Sequence, residues 1–341
     1  MRSFLSICCV MVLAGAAPMA PAMAAELNIY SARHYPSDDA LYAGFTQATG
    51  IKINRVEASG DKLLARLRQE GRNSPADVLM VVDAGNLWLA EKEGLFHPVK
   101  SEGLVARIPP NLRHPDGLWF GFSTRARVIV YNKSQVGAAD APKRYEDLAD
   151  ARWKGKVCMR SSSNVYNLSL MASLVHHLGE AKAEAWARGV VANFARDPKG
   201  GDTDQIRAVA AGECAVTLAN TYYVVRLMKS DKDADRAVAE KIAVVFPNQG
   251  DRGTHVNVSG AGMLKHAPHP ENAVRFLEYL LSPEAQSLFA VANNEYPVAE
   301  DVAGDATLIK LGRFKADDLG IHILGENQPR AQMAYDRAGF K

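Results

Sequence analysis

Ala76-Asp-Val-Leu-Met-Val-Val82 is an apolar run broken by one carboxylate, and a helical stretch from about Ala84 to Lys92, ended by Gly94, follows it. A short continuous apolar run bounded this way reads as a strand buried on both faces, which is the signature of a parallel sheet covered by helices. The segments upstream extend the pattern. Leu27-Asn-Ile-Tyr-Ser31 is a strand. Pro36 at a first-turn position, with Asp38 and Asp39 behind it, opens a helix that Gly50 ends. Ile51 to Val56 is a second strand, and Asp61 to Glu70 a helix closed by Gly71. The order β-α-β-α-β-α predicts an α/β fold with a parallel sheet.

The alternation returns later in the chain. Lys156 to Arg160 reads as a strand, and Ser161-Ser-Ser-Asn164 caps a helix reaching about Leu178. Helices are expected over Glu184–Phe194 and Asp204–Ala211. Cys214–Leu218 is a strand, and Asn220-Thr221 caps the next helix. Pro270–Leu281 and Pro283–Ala292 are amphipathic helices. The chain of 341 residues has no repeat, low-complexity stretch or polar linker. Its length suggests two lobes that share one continuous chain.

The first residues read as an export signal. Met1-Arg2 supplies a positive charge, Phe4 to Ala17 is apolar, and Ala22-Met23-Ala24 is an A-x-A cleavage site. The apolar stretch is shorter than the roughly 20 residues of a spanning helix. Residues 1–24 are therefore expected to be a removed signal peptide, with a cut after Ala25 as the alternative, leaving a chain free in the periplasm and not embedded in the membrane. Cys8 and Cys9 fall inside the signal, so Cys158 and Cys214 remain. In an oxidising compartment they are expected to form a disulfide, the alternative being two separately buried thiols. The formal net charge of +2 gives no bulk attraction to nucleic acid or anionic lipid.

Ligands of open parallel sheets bind beyond the carboxyl ends of strands, where helices begin. Three such junctions carry tyrosine: Arg33-His34-Tyr35, Ser161-Ser-Ser-Asn-Val-Tyr166 and Asn220-Thr-Tyr222-Tyr223. In the first turn of a helix Tyr222 and Tyr223 stand about 100° apart, so both can lean into one cleft. Arg226, four residues after one and three after the other, shares their face, and its charge is expected to lower a phenol's pKa. Phenolate is a hard oxygen donor, protonated until near pH 10. Ferric iron is the biological cation that displaces that proton. Zinc or copper would call for His and Cys, and calcium for a carboxylate-rich loop.

Ala76–Asp83 with Gly94-Leu95, and the run Ala273–Gln286, resemble the periplasmic solute-binding proteins of ABC transporters. The resemblance implies two α/β lobes with a ligand cleft between them, a lobe over 26–124 plus 250–300, and another over 125–249 plus 301–341. It also implies a monomer that delivers its ligand to an ABC transporter permease. Ser31–Tyr35, Ser161–Asn167 and Asn220–Tyr223 resemble the ligand segments of the ferric-iron-binding members, particularly the tyrosine-rich cyanobacterial type. This implies Tyr35, Tyr166, Tyr222 and Tyr223 as iron ligands, and His34 as a further one. Trp119–Arg127 also matches, which makes Arg125 a second cationic neighbour able to hold a carbonate or other synergistic anion. By charge counting, four phenolates and Fe³⁺ sum to −1, which Arg226 and Arg125 are expected to balance without an added anion. Fe²⁺ would leave the cluster more negative, so the ferric state is expected to be selected.

Ser59-Gly-Asp-Lys62 fits S-x-x-K, but its companion motifs are missing, as are G-x-S-x-G, H-E-x-x-H and a phosphate-binding loop. An enzyme is therefore not expected. The rival is a binding protein for a small organic ligand, stacked and paired by the same tyrosines and arginines. His176 and His177 are adjacent on a helix and do not share a face, so both read as surface or capping residues. His255, His266 and His269 read as loop residues without partner ligands, and Asp83 as the cap of the helix after it.

Overall fold

The structure is a computed structural model that describes residues 25–33 and 35–341. The expected signal peptide, with Cys8 and Cys9, and His34 lie outside the described residues. The chain begins with β1 (Glu26–Ser31), α1 (Asp38–Thr49), β2 (Lys52–Glu57), α2 (Gly60–Glu70), β3 (Val78–Val82), α3 (Ala84–Lys92) and α4 (Glu102–Arg107). The expected boundaries hold within two residues because local chemistry sets them. Gly50 ends α1 in the left-handed conformation, φ 71°, where a Cβ is costly. Asp83 caps α3 by accepting from the Gly85 backbone N–H.

The long strand β4 (Phe120–Asn132) follows, then β5 (Val157–Cys158), α5 (Val165–Leu178), α6 (Glu180–Ala192), α7 (Asp202–Ala211), β6 (Val216–Asn220), α8 (Thr221–Met228), α9 (Asp233–Lys241) and β7 (Ile242–Val245). The strand expected over Lys156–Arg160 shrinks to two residues, because only Val157 and Cys158 find partners in β6. The strand expected at Cys214 begins at Val216, since β4 pairs with it only over Arg127–Tyr131. The helix expected from Glu184 starts a turn earlier, at Glu180. The chain ends with β8 (Val256–Met263), α10 (Pro270–Tyr279), α11 (Pro283–Val291), β9 (Tyr296–Pro297), α12 (Ala306–Lys310), α13 (Ile321–Glu326) and α14 (Gln328–Ala338).

The strands run β2-β1-β3-β8-β4-β6-β5, with β7 and β9 also on β4. β1 lies parallel to β2 and β3, as the apolar run at Val78–Val82 predicts. β4 joins the two halves of this two-lobed α/β fold: Phe120–Ala126 pair with β8, and Arg127–Tyr131 with β6. One apolar core collects β1, β3, α1, α10 and α11. Two others flank the second half, one under α5, α6 and α14 and one under α7 and α8. In the tail, Ile321 and Leu324 of α13 pack in the first core, whereas Ala334 and Tyr335 of α14 pack in the second. Cys158 and Cys214 form the expected disulfide, with Cα atoms 5.8 Å apart. It ties the start of β6 to β5, just before the segments that carry the tyrosines.

Candidate metal centre

Each tyrosine-bearing junction is fixed by its own local chemistry. Asn164, extended at ψ 131°, accepts from the Tyr166 backbone N–H and so holds Tyr166 in the first turn of α5. Asn220 stands at the N-cap of α8, but its side chain does not cap. It accepts from Arg127 at 3.2 Å and donates to the Tyr222 hydroxyl at 3.4 Å instead. Thr221 Oγ1 accepts from the Ala126 N–H, which pins the start of α8 against β4.

The hydroxyls of Tyr222 and Tyr166 meet at 3.2 Å, across a separation of 56 residues. The rings of Tyr222 and Tyr223 lie 4.3 Å apart, tilted by 36°. Tyr35 is within electrostatic reach of Tyr166, Tyr222 and Tyr223, so ionising any one hinders the others. All four tyrosines therefore converge, from both halves of the fold.

Burial decides the protonation of Tyr35, Tyr166 and Tyr222. It pushes the Tyr35 phenol up to about 12, helped by the nearby Glu295 carboxylate. Burial also raises Tyr166 and Tyr222, and their shared repulsion adds to it. The lowered pKa expected from Arg226 is not found for Tyr222. The Arg226 guanidinium does lie over both rings, 5.8 Å from the centre of Tyr222 and 5.5 Å from that of Tyr223. Its side chain is exposed, however, and solvent screens its charge. The cation that opposes the rise is the buried Arg125, 5.9 Å from the Tyr222 ring. These phenols are neutral at pH 7 unless a cation displaces their protons.

The sequence reading missed the polar groups that hold the tyrosines. Asp202 is fully buried and accepts from Arg127 at 2.5 Å, from Arg160 at 3.1 Å and from the Asn220 N–H at 2.9 Å. Both arginines lie over the Tyr166 ring, at 5.9 and 5.2 Å. Glu295 accepts from Arg125 at 2.6 Å and from Arg33 at 3.5 Å, and Arg33 lies 4.7 Å from the Tyr35 ring centre. A signal existed for Arg127: alternate residues of a strand share a face, so Arg125 and Arg127 in the apolar run Phe120–Tyr131 had to point together. Glu295 follows Asn293-Asn294 outside any regular pattern and had no such signal.

The remaining expectations divide. Asp83 caps α3 as expected, and also accepts from Ser169 of α5 and Asn257 of β8. His177 is bonded to Asp317 at 2.7 Å rather than being a free surface group. His255 lies outside regular structure as expected, immediately before β8, but it is buried there, and its backbone N–H donates to the Tyr145 hydroxyl. No cluster of three His, Cys, Asp or Glu side chains suited to a metal occurs among the described residues. A wider surface hollow, about 640 Å³ between Leu67, Arg72 and His266, lies at the amino end of β3. That is the end opposite the tyrosines.

Residues 73–316 match the family described as bacterial extracellular solute-binding protein. Iron uptake protein A1 of a Synechocystis strain is 52% identical over 327 residues, covering 95% of this chain and 91% of that protein. The major ferric iron-binding protein of a Neisseria meningitidis strain is 27% identical, covering 96% and 97%. A solved Trichodesmium protein in complex with iron and citrate ligands superposes with a TM-score of 0.90 at 53% identity, covering 93% of this chain and all of that one. The chain belongs to the bacterial extracellular solute-binding proteins, in the group of the ferric-binding proteins.

Proposed function

We propose that this protein takes up ferric iron outside the cytoplasmic membrane and delivers it to an ABC transporter permease. The iron is held by the phenolates of Tyr35, Tyr166, Tyr222 and Tyr223 in a cleft between two lobes, 26–124 plus 250–300 and 125–249 plus 301–341, with α13 of that tail packing back on the first. The observation that carries this reading is the approach of four phenols from three strand-to-helix junctions, with Tyr166 and Tyr222 in hydroxyl contact. Phenols packed this closely suit one hard trivalent cation, which offsets the loss of their protons. The named iron proteins among the relatives support the same cargo.

Iron bound first to Tyr166, Tyr222 and Tyr223 recruits Tyr35 from the other lobe, and its differential affinity stabilises the closed state. His34 is a further ligand in this proposal. The protein works as a periplasmic monomer without catalysis, after removal of residues 1–24. Among the described residues, no helix is long and apolar enough to cross a membrane.

The test is a visible spectrum of the purified protein titrated with a ferric chelate. A tyrosinate-to-iron charge-transfer band at one iron per chain is expected, and it should be lost in Tyr222→Phe. Absence of the band with stoichiometric iron would refute the iron reading and leave an organic solute as the ligand.

A further inference from the structure

Lys229 stands at the carboxyl end of α8, and its ammonium meets three oxygens from separate segments. It donates to the Val291 carbonyl at 2.8 Å, to Asn294 Oδ1 at 3.0 Å and to Asp305 Oδ2 at 2.9 Å. An ammonium has three hydrogens, so its donor capacity is fully used. Val291 is the last residue of α11, where a helix leaves carbonyls unpaired and its dipole favours a cation. Asn294 follows in the left-handed conformation, φ 59°, which asparagine tolerates better than most residues. Asp305 caps α12, with Oδ1 accepting from the N–H groups of Thr307 and Leu308, which leaves Oδ2 for the lysine.

These acceptors belong to different halves of the molecule. α11 packs through Ala285 and Phe289 in the first core. α12 lies against α8, and Leu311 and Phe314 after it pack in the core under α7 and α8. The Asp305 contact therefore stays within the second half and aims the ammonium. The Val291 and Asn294 contacts cross to the first half and form only when α8 and α11 are together. The lysine side chain is 33% exposed, so water can take over those two contacts when the halves part.

The same helix carries part of the site. Tyr222 and Tyr223 lie in the first turn of α8, and Lys229 follows Tyr222 by seven residues, close to two full turns. The lysine thus leaves α8 on the side that bears Tyr222, about 10 Å further along the axis. A contact that holds one end of α8 against α11 restrains the phenols at the other end.

We infer that Lys229 is an interlobe clasp: by bonding the carboxyl end of α11 it favours the closed form and slows the escape of iron from the tyrosines. This rests on the ferric and closure reading above. Lys229 is a positioning residue that acts on Tyr222 and Tyr223 through α8, not an iron ligand.

The experiment compares the whole protein with Lys229→Met, Lys229→Arg, Asn294→Gly and the double variant of Lys229→Met with Asn294→Gly. Glycine adopts the left-handed conformation without strain, so Asn294→Gly removes only the acceptor. Each protein is loaded from ferric nitrilotriacetate, and iron loss to a competing chelator is followed by the charge-transfer band. Lys229→Met should release iron roughly 5- to 50-fold faster, the range for hydrogen bonds to a partly solvated charge. Lys229→Arg should recover most of that loss. Iron capture should stay within about twofold, because the clasp forms after iron has reached the open cleft. The double variant should release iron no faster than Lys229→Met, since both substitutions break one contact. Unchanged release in a folded Lys229→Met, effects of the two substitutions that add, or capture slowed as much as release is hastened, overturns the inference. Should Lys229→Met not fold, Asn294→Gly decides: faster release supports the clasp and unchanged release overturns it. Small-angle scattering of the metal-free proteins reads the clasp without iron. Lys229→Met should be more expanded than the unaltered protein, and equal radii overturn the inference. Absence of any charge-transfer band in the unaltered protein would instead reject the ferric reading, and scattering would then decide the clasp alone.

Discussion

Ferric affinity should fall steeply with acid, at a slope the buried phenols set. Phenols ionise near pH 10 in water. Burial moves Tyr35 up to about 12 and raises Tyr166 and Tyr222 as well, so these three are protonated at neutral pH. Iron must displace at least those three protons. Because the protons leave on binding, affinity rises with pH and falls as pH drops. Each released proton changes the binding free energy by about 1.4 kcal/mol per pH unit. Three protons amount to about 4 kcal/mol, roughly a thousandfold in apparent affinity between pH 7 and pH 6. The assay is a competition titration against a chelator whose own pH dependence is known, with proton release measured at a pH-stat. Tyr222→Phe should weaken binding and lower the slope by one proton. A slope below two in the unaltered protein, or one that Tyr222→Phe leaves unchanged, would refute phenolate coordination at this junction.

Asp202→Asn strips the buried carboxylate from Arg127 and Arg160, so it should cost about 3–5 kcal/mol, read as a lower urea midpoint with an unchanged slope. Gly325→Ala places a methyl 2.1 Å from Trp88 Cβ, so α13 must move off α3. A loss of about 1–3 kcal/mol is expected by thermal unfolding. Burial, first, and the charges of Arg127 and Arg252 hold His255 down to about 4, against its ordinary 6.5. The unfolded chain then takes up a proton that the native state refuses. Stability should fall by up to about 3 kcal/mol as pH drops from about 6.5 towards 4. His255→Asn should flatten that part of the profile, and a pH–stability curve unchanged by the substitution would exclude the histidine as its source.

Much of the fold could be read directly because its signals are local. The apolar run at Val78–Val82, the glycines that end α1 and α3, and the Asn164 cap each act within a few residues of themselves. Elements that depend on a distant partner were misplaced: β5 is as long as its pairing with β6 allows, and β6 starts where β4 reaches it. The tyrosines were visible because strand-to-helix junctions can be counted along the chain. The arginines' buried partners were not.

Residue order alone determined the alternation of strands and helices, the cysteine pair, and which tyrosines stand at the carboxyl ends of strands. Tertiary structure decided how those tyrosines are charged. Arg125 is cancelled by a glutamate 170 residues away, and Arg127 by an aspartate 75 residues away. Burial, a property of the whole packed chain, outweighs the nearby cations and keeps Tyr166 and Tyr222 protonated. Electrostatic energy depends on distance through space and on exclusion of water, and neither is written in the spacing of residues along a sequence.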